Sequence, residues 1–106
     1  MIITGGFNVF PSEIEQVIWS HEAVRDCAVI GVPDSKWGEA VVAVVELKNG
    51  RSCDAAEIVA LVKSALGSVK TPKAVEFWPE LPRSNVGKVL KRAIRDSFWK
   101  AEGRRI

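Results

Sequence analysis

The sequence predicts an α+β fold in which three helices pack on a sheet built around an antiparallel central pair of strands. Three observations lead there. Two neighbouring runs, Val24–Val32 and Glu39–Leu47, are dense in β-branched residues and read as strands. Three other stretches carry apolar residues at helical spacing. The elements then fall in the order β-α-β-β-α-β-α, which indicates an α+β sandwich.

Taken in order, Met1–Thr4 reads as a short strand stopped by Gly5-Gly6. That pair supplies backbone freedom and removes side-chain bulk, so the loop can run close to another surface. Phe7 to Pro11 leads into a helix whose start has the look of a capping box, with Ser12 followed by Glu15 and Pro11 just ahead. Ile14, Val17 and Ile18 form its buried stripe, and it is expected to end near His21. Between the central strands, Pro33 to Gly38 is too long and irregular for a two-residue hairpin turn. After the turn Lys48-Asn49-Gly50, Asp54 caps a second helix. Ile58, Leu61, Val62 and Leu66 share one face of it, and Gly67 closes it. Lys70–Lys73 is an extended basic loop and Ala74–Trp78 a further strand. Pro79–Lys88, with two prolines and a glycine, is a surface loop. A last helix is expected from about Val89 to Glu102, with Leu90, Ala93, Ile94 and Phe98 inward and Lys91, Arg92 and Arg95 outside.

A chain of 106 residues, 47% apolar and 26% charged, has the size and balance of one soluble domain. Its longest apolar run, Ala40–Val45, is far short of the roughly 20 residues a membrane span needs. No secretory signal is visible, and Cys27 and Cys53 read as reduced thiols, so a cytoplasmic location is expected. One histidine and two scattered cysteines do not make a zinc site, and His21 reads as a charge or cap at a helix end. Glu13 and Glu15 point to different faces of their helix and suit its first turn, not acid–base work. Charge is uneven. Residues 1–69 hold five Lys/Arg against nine Asp/Glu, and residues 70–106 hold ten against four. A basic C-terminal third suggests a surface that meets an anion, whether a phosphate-bearing small molecule, a nucleic acid or an acidic protein.

Two loops stand out as chemistry-bearing. One is Ile3-Thr4-Gly5-Gly6-Phe7-Asn8-Val9-Phe10-Pro11-Ser12-Glu13-Ile14-Glu15 and the other Leu81-Pro82-Arg83-Ser84-Asn85-Val86-Gly87-Lys88-Val89-Leu90-Lys91-Arg92. In the second, Gly87 puts Lys88 at the expected start of a helix, where terminal amides and an ammonium would converge on a phosphate. The full phosphate-cradling pattern is absent, since Pro82 stands where a further glycine is needed and Val89 where Ser or Thr is needed.

Both loops, together with the Val32-Pro33-Asp34 to Trp37-Gly38-Glu39 segment, resemble the C-terminal domain of the adenylate-forming acyl-CoA synthetase superfamily. That superfamily includes fatty-acid and aryl-acid CoA ligases, luciferases and peptide-synthetase adenylation domains. The resemblance covers essentially the whole chain, residues 1–106. It implies a small mixed, largely antiparallel sheet with three helices, moving as a lid on an N-terminal domain that this chain lacks. It implies ATP, Mg2+ and CoA, bound mainly by that domain, and a carboxylic acid as substrate. Lys88 would be the catalytic residue of adenylation. After domain rotation, Gly5 and Gly6 would line the pantetheine tunnel, with Phe7 following the glycine pair, Trp37 against the CoA nucleotide and Lys70 toward a CoA phosphate. The segment around Lys88 also resembles one that lysine acetyltransferases modify. The chain departs from the family at Val69-Lys70-Thr71-Pro72, which lacks the usual aromatic and arginine. Adenylation for a carrier protein is therefore an alternative acceptor chemistry, and a non-enzymatic basic module binding nucleic acid through Lys88–Arg105 is a second. By itself the chain is expected to be inactive, and a fragment of a longer enzyme is favoured over one half of a split one.

Overall fold

The computed structural model describes residues 2–36 and 38–103. The elements are β1 (Ile2–Thr4), β2 (Phe7–Val9), α1 (Pro11–Trp19), β3 (Val24–Asp34), β4 (Gly38–Leu47), α2 (Ala55–Leu66), β5 (Ala74–Phe77) and α3 (Lys91–Gly103). β4 is the spine of the sheet. β3 pairs antiparallel along one of its edges, while β1 and β5 share the other. β1 meets β4 at Thr4↔Gly38, and β5 runs parallel to it from Val42↔Ala74 to Val45↔Phe77. The sheet is mixed and largely antiparallel, as expected.

Both faces of β4 are buried, which explains its unbroken apolar run. Val41, Ala43 and Val45 pack with Ile14 and Ile18 of α1 and with Ile58 and Val62 of α2. Val42 and Val44 face the other way, into a second cluster with Leu81 and with Ile94 of α3. Two helices therefore cover one face and one helix the other. The cap of α2 is as expected: the Asp54 side chain accepts from the Glu57 amide at 2.9 Å, and Gly67 ends the helix.

β3 is a long edge strand, and side chains occupy three of its outward groups. The Cys27 amide donates to Asp26, the Val29 amide to Glu15 at 2.8 Å, and the Gly31 carbonyl accepts from the Trp99 indole at 2.8 Å. Pro33 follows on the same outward alternation, where a missing N–H removes no ladder bond. Such an edge offers little to a stray strand.

Four expectations are corrected. Phe7–Val9 is a strand, paired with β1 through Thr4↔Phe7. The β3–β4 connection is tighter than expected, because pairing runs out to Asp34↔Gly38. α1 begins at Pro11 with Phe10 as its cap residue and no side-chain cap bond. Proline's fixed φ suits that first position, and Glu15 is drawn to β3 instead of back to Ser12. α3 begins at Lys91, since Val89 bridges to Arg83 before the helix can start. Leu90 is thus left exposed, Ala93 is exposed too, and Lys91 turns onto Glu15 at 2.6 Å.

Candidate functional site

The Pro82–Leu90 segment is a tight hairpin. The Gly87 amide donates to the Ser84 carbonyl at 2.9 Å and the Ser84 amide to the Lys88 carbonyl at 2.8 Å. The Leu90 amide closes the base on the Pro82 carbonyl at 2.8 Å. Gly87 has φ +84°, a value a side-chain-bearing residue rarely adopts, so the turn needs its glycine. Lys88 stands on the returning arm, exposed, with its amide on the Ser84 hydroxyl at 3.3 Å. It is not at a helix N-terminus: α3 starts three residues later. The convergence of helix amides on Lys88 expected from the sequence is therefore absent, and the ammonium group itself is what the hairpin presents.

A charged cluster fixes the base of this hairpin. Arg83 Nη2 lies 2.9 Å from Glu46 Oε1 and 3.1 Å from Asp26 Oδ2. Glu46, only 3% exposed, also accepts the Leu81 amide at 2.9 Å. Desolvation works against the charged guanidinium, but the hydrogen bonds it donates to Glu46 and Asp26, with their negative charge, outweigh it and raise the Arg83 pKa above its ordinary value. Sequence reasoning missed these three residues. A signal existed in Glu46, a carboxylate at the end of an otherwise apolar run.

Beside Lys88 runs an open groove of about 430 Å³, lined in part by Glu15, Trp19, Asp26, Cys27 and Lys91. The cations and carboxylates along it are engaged, Lys91 with Glu15 and Asp26 with Arg83. Among the described residues no carboxylate pairs with Lys88. Burial, then Glu15 and Asp26, push the Cys27 thiol up to about 12, so it is a neutral, unreactive group.

The Gly5-Gly6 loop is a second hairpin, joining β1 to β2 in two residues. Both glycines have positive φ, +56° and +82°, as a mirror-image type I′ turn requires. A Cβ on Gly6 would meet nothing in this chain within 4 Å, so only its backbone conformation demands glycine here. Thr4, Gly5 and Phe7 line a shallow cleft of about 190 Å³ with Ser68, Val69 and Lys73, which brings the glycine turn against the basic loop. Lys70, from that loop, bonds Glu13 in the first turn of α1 at 2.8 Å. Trp37 lies outside the described residues.

The fold separates the two hairpins. Gly5 follows Thr4, which pairs with Gly38 at the start of β4, whereas the Lys88 groove borders Asp26 and Cys27, which pair with Glu46 and Val45 at its end. At roughly 3.3 Å per residue, those positions are about 25 Å apart along the strand.

The fold also gathers His21, Cys53 and Glu57, with ligand atoms within 4.8 Å of one another, which the scattered sequence positions did not suggest. The His21 Nδ1 accepts the Ala23 amide at 3.1 Å, so the ring proton sits on Nε2, facing Glu57 at 3.1 Å. Burial, then Glu57 and Asp54, raise the Cys53 pKa. A metal ion here would have to displace the thiol proton and break the His21–Glu57 contact.

Residues 13–88 match the AMP-binding enzyme C-terminal domain. The chain is 48% identical, over its whole length, to the medium/long-chain-fatty-acid–CoA ligase FadD8 of Mycobacterium tuberculosis, of which it covers 20%. Among solved structures, a fatty acyl CoA synthetase of Mycobacterium tuberculosis superposes with TM-score 0.87 at 40% identity over 95% of this chain and 20% of that one. The amide bond synthetase McbA of Marinactinospora thermotolerans gives 0.86 at 39% identity, over 92% and 20%. The chain thus spans about one fifth of the relatives it matches. On this sequence match and shared fold, the chain belongs to the AMP-binding enzyme C-terminal domain family.

Proposed function

We propose that residues 1–106 are the mobile C-terminal domain of an ATP-dependent, AMP-forming acyl-CoA synthetase for a fatty or aryl acid. In this reading a cytoplasmic N-terminal partner domain holds the acid, ATP and most of CoA. Lys88 acts in adenylation. After the domain rotates, the Gly5-Gly6 turn forms part of the pantetheine tunnel. Phe7, Trp37 and Lys70 are proposed for the CoA side from the motif alone.

One observation carries the reading: Lys88 is exposed and unpaired among the described residues, on a hairpin whose base is anchored by charge. In adenylation a carboxylate oxygen attacks the α-phosphorus of ATP, the bond to the β-phosphate breaks, and acyl-adenylate and pyrophosphate result. The two reacting groups are both anionic. An ammonium between them offsets their repulsion and the charge that develops on the transferring phosphorus. Lysine suits this as a compact charge on a long stem. Mg2+ would neutralise phosphate charge, but among the described residues the carboxylates near Lys88, Glu15 and Asp26, are already engaged. The ion belongs to the partner domain in this proposal.

The separation of the hairpins supports domain alternation, since the strand positions beside them lie about 25 Å apart along β4 and the two turns thus face different parts of the surface. Each hairpin also carries an exposed apolar side chain, Val86 (89%) beside Lys88 and Phe7 (58%) beside the glycines, as suits surfaces that seat on another domain. Among the described residues, the grooves beside both hairpins are open and shallow, which fits the expectation that the chain alone has no turnover. Lys88, exposed on the returning arm of the hairpin, is also accessible to a lysine acetyltransferase, and acetylation would delete its charge. Mass spectrometry of the native protein under acetylating conditions tests that: an unmodified Lys88 refutes it.

The test of the main reading is Lys88→Ala in the intact ligase. Pyrophosphate release should collapse while thioester formation from a supplied acyl-adenylate survives. Unchanged pyrophosphate release refutes it. A second reading, an acceptor other than CoA, is favoured by the engagement of Lys70 with Glu13, which leaves the basic loop less to offer a CoA phosphate. Turnover with a phosphopantetheinylated carrier protein and none with CoA would select it.

A further inference from the structure

We propose that Arg83, clamped between Asp26 and Glu46, is a positioning residue that sets where the Lys88 ammonium stands during adenylation; this rests on the role given to Lys88 above. Among the described residues, the hairpin has few other holds on the body of the domain. Residues 85–88 are exposed, and apart from half-buried Ser84 and Pro82, the contacts at its base are Leu81, Arg83 and Val89. Of these only Arg83 fixes direction as well as depth.

The clamp leaves little play. Glu46 Oε1 takes both the Leu81 amide and Arg83, while its Oε2 faces Arg25 at 3.5 Å. Asp26 Oδ1 takes the Cys27 amide and Oδ2 takes Arg83. Each carboxylate is thus tied to backbone before it meets the guanidinium. A second Arg83 nitrogen reaches back to the Leu81 carbonyl at 3.4 Å. A planar fork can hold three such acceptors at once, whereas a lysine offers one point charge. Arg83 also bridges Val89, the residue next to Lys88, so any shift of the first arm is passed to the arm that carries the ammonium.

Charges withdrawn from water in this way are weak devices for stability, and apolar residues of similar size often serve it as well. Geometry is what they supply. A displacement of about 1 Å at a reacting group can cost on the order of 10²-fold in rate.

The experiment compares Arg83→Lys, Asp26→Asn, Lys88→Ala and the Arg83→Lys/Lys88→Ala double variant in the intact ligase. Asp26→Asn keeps side-chain shape if the arginine variant folds poorly. Adenylation and thioester formation from supplied acyl-adenylate are measured separately. Arg83→Lys and Asp26→Asn should each lower kcat for adenylation by about 10- to 10²-fold. KM for ATP and the thioester step should stay unchanged. The double variant should be no worse than Lys88→Ala alone, because both act through one group. Full adenylation in both Arg83→Lys and Asp26→Asn beside a dead Lys88→Ala overturns this inference alone. Parallel loss of both half-reactions also overturns it, since that is the mark of a merely structural role. An active Lys88→Ala overturns the role of Lys88 and this inference with it.

Discussion

The lysine hairpin and the glycine hairpin are both short turns, set toward opposite ends of β4, yet they are held by different physics. The glycine turn is fixed by backbone dihedrals alone, two positive φ values that two glycines adopt at no steric cost. The lysine hairpin has a glycine too, but its orientation depends on a guanidinium and two carboxylates at its base. A turn that offers its backbone to a ligand needs only the right turn type. A turn that offers a side chain must also hold the arm from which that side chain projects.

The largest expected effect tests the division of labour between them. Lys88→Ala should lower adenylation by about 10³-fold, the scale seen when one charge-stabilising group is removed. Gly6→Val should leave adenylation intact and slow thioester formation. If either variant impaired both half-reactions equally, the two hairpins would not be separate devices.

Next, Ile94→Ala should destabilise the domain by about 3 kcal/mol, because Ile94 is 0% exposed and packs with Leu81 at the base of the lysine hairpin. Thermal unfolding of the 106-residue chain measures it, and a loss under about 1 kcal/mol would mean that α3 packs loosely. Gly31→Ala acts at the other end. Its Cβ would lie 2.5 Å from the Glu39 carboxylate and 3.2 Å from Ile2, while Glu39 also accepts the Ile3 amide. A cost of about 2 kcal/mol is expected, with β1 displaced and the thioester step affected before adenylation. Asp54→Ala, which uncaps α2 away from both hairpins, should cost about 1 kcal/mol and leave both half-reactions alone.

The smallest effect is a chemical one. Cys27 should resist alkylation at pH 8 in the folded chain, since its pKa is raised from 9.0 to about 12. A raised pKa means the folded state keeps the proton, so its contribution to stability is intact below about pH 9 and is lost as pH climbs toward about 12. Rapid labelling of native Cys27 would mean that the groove beside Lys88 opens further than its packing suggests.

Much of this was legible in the residues. Periodicity found α1 and α2 and the two long strands. Asp54 and Gly67 marked the ends of α2 because capping is local chemistry. Phe7–Val9 was missed although Gly-Gly is itself a hairpin signal; a three-residue strand has too short a pattern to register. Ser12 looked like a cap because its spacing to Glu15 was right, but Glu15 found a better partner in the Val29 amide on a neighbouring strand.

What the sequence determined by itself was the fold class, the two glycine-bearing loops and the presence of a lysine in one of them, because short-range patterns encode these. Tertiary structure decided which cations are engaged. Lys70 and Lys91 meet Glu13 and Glu15, Arg83 meets Asp26 and Glu46, and Lys88 is left exposed. Those pairs join residues that are up to 76 positions apart. Electrostatic partners depend on distance in space, and a linear pattern carries no measure of that.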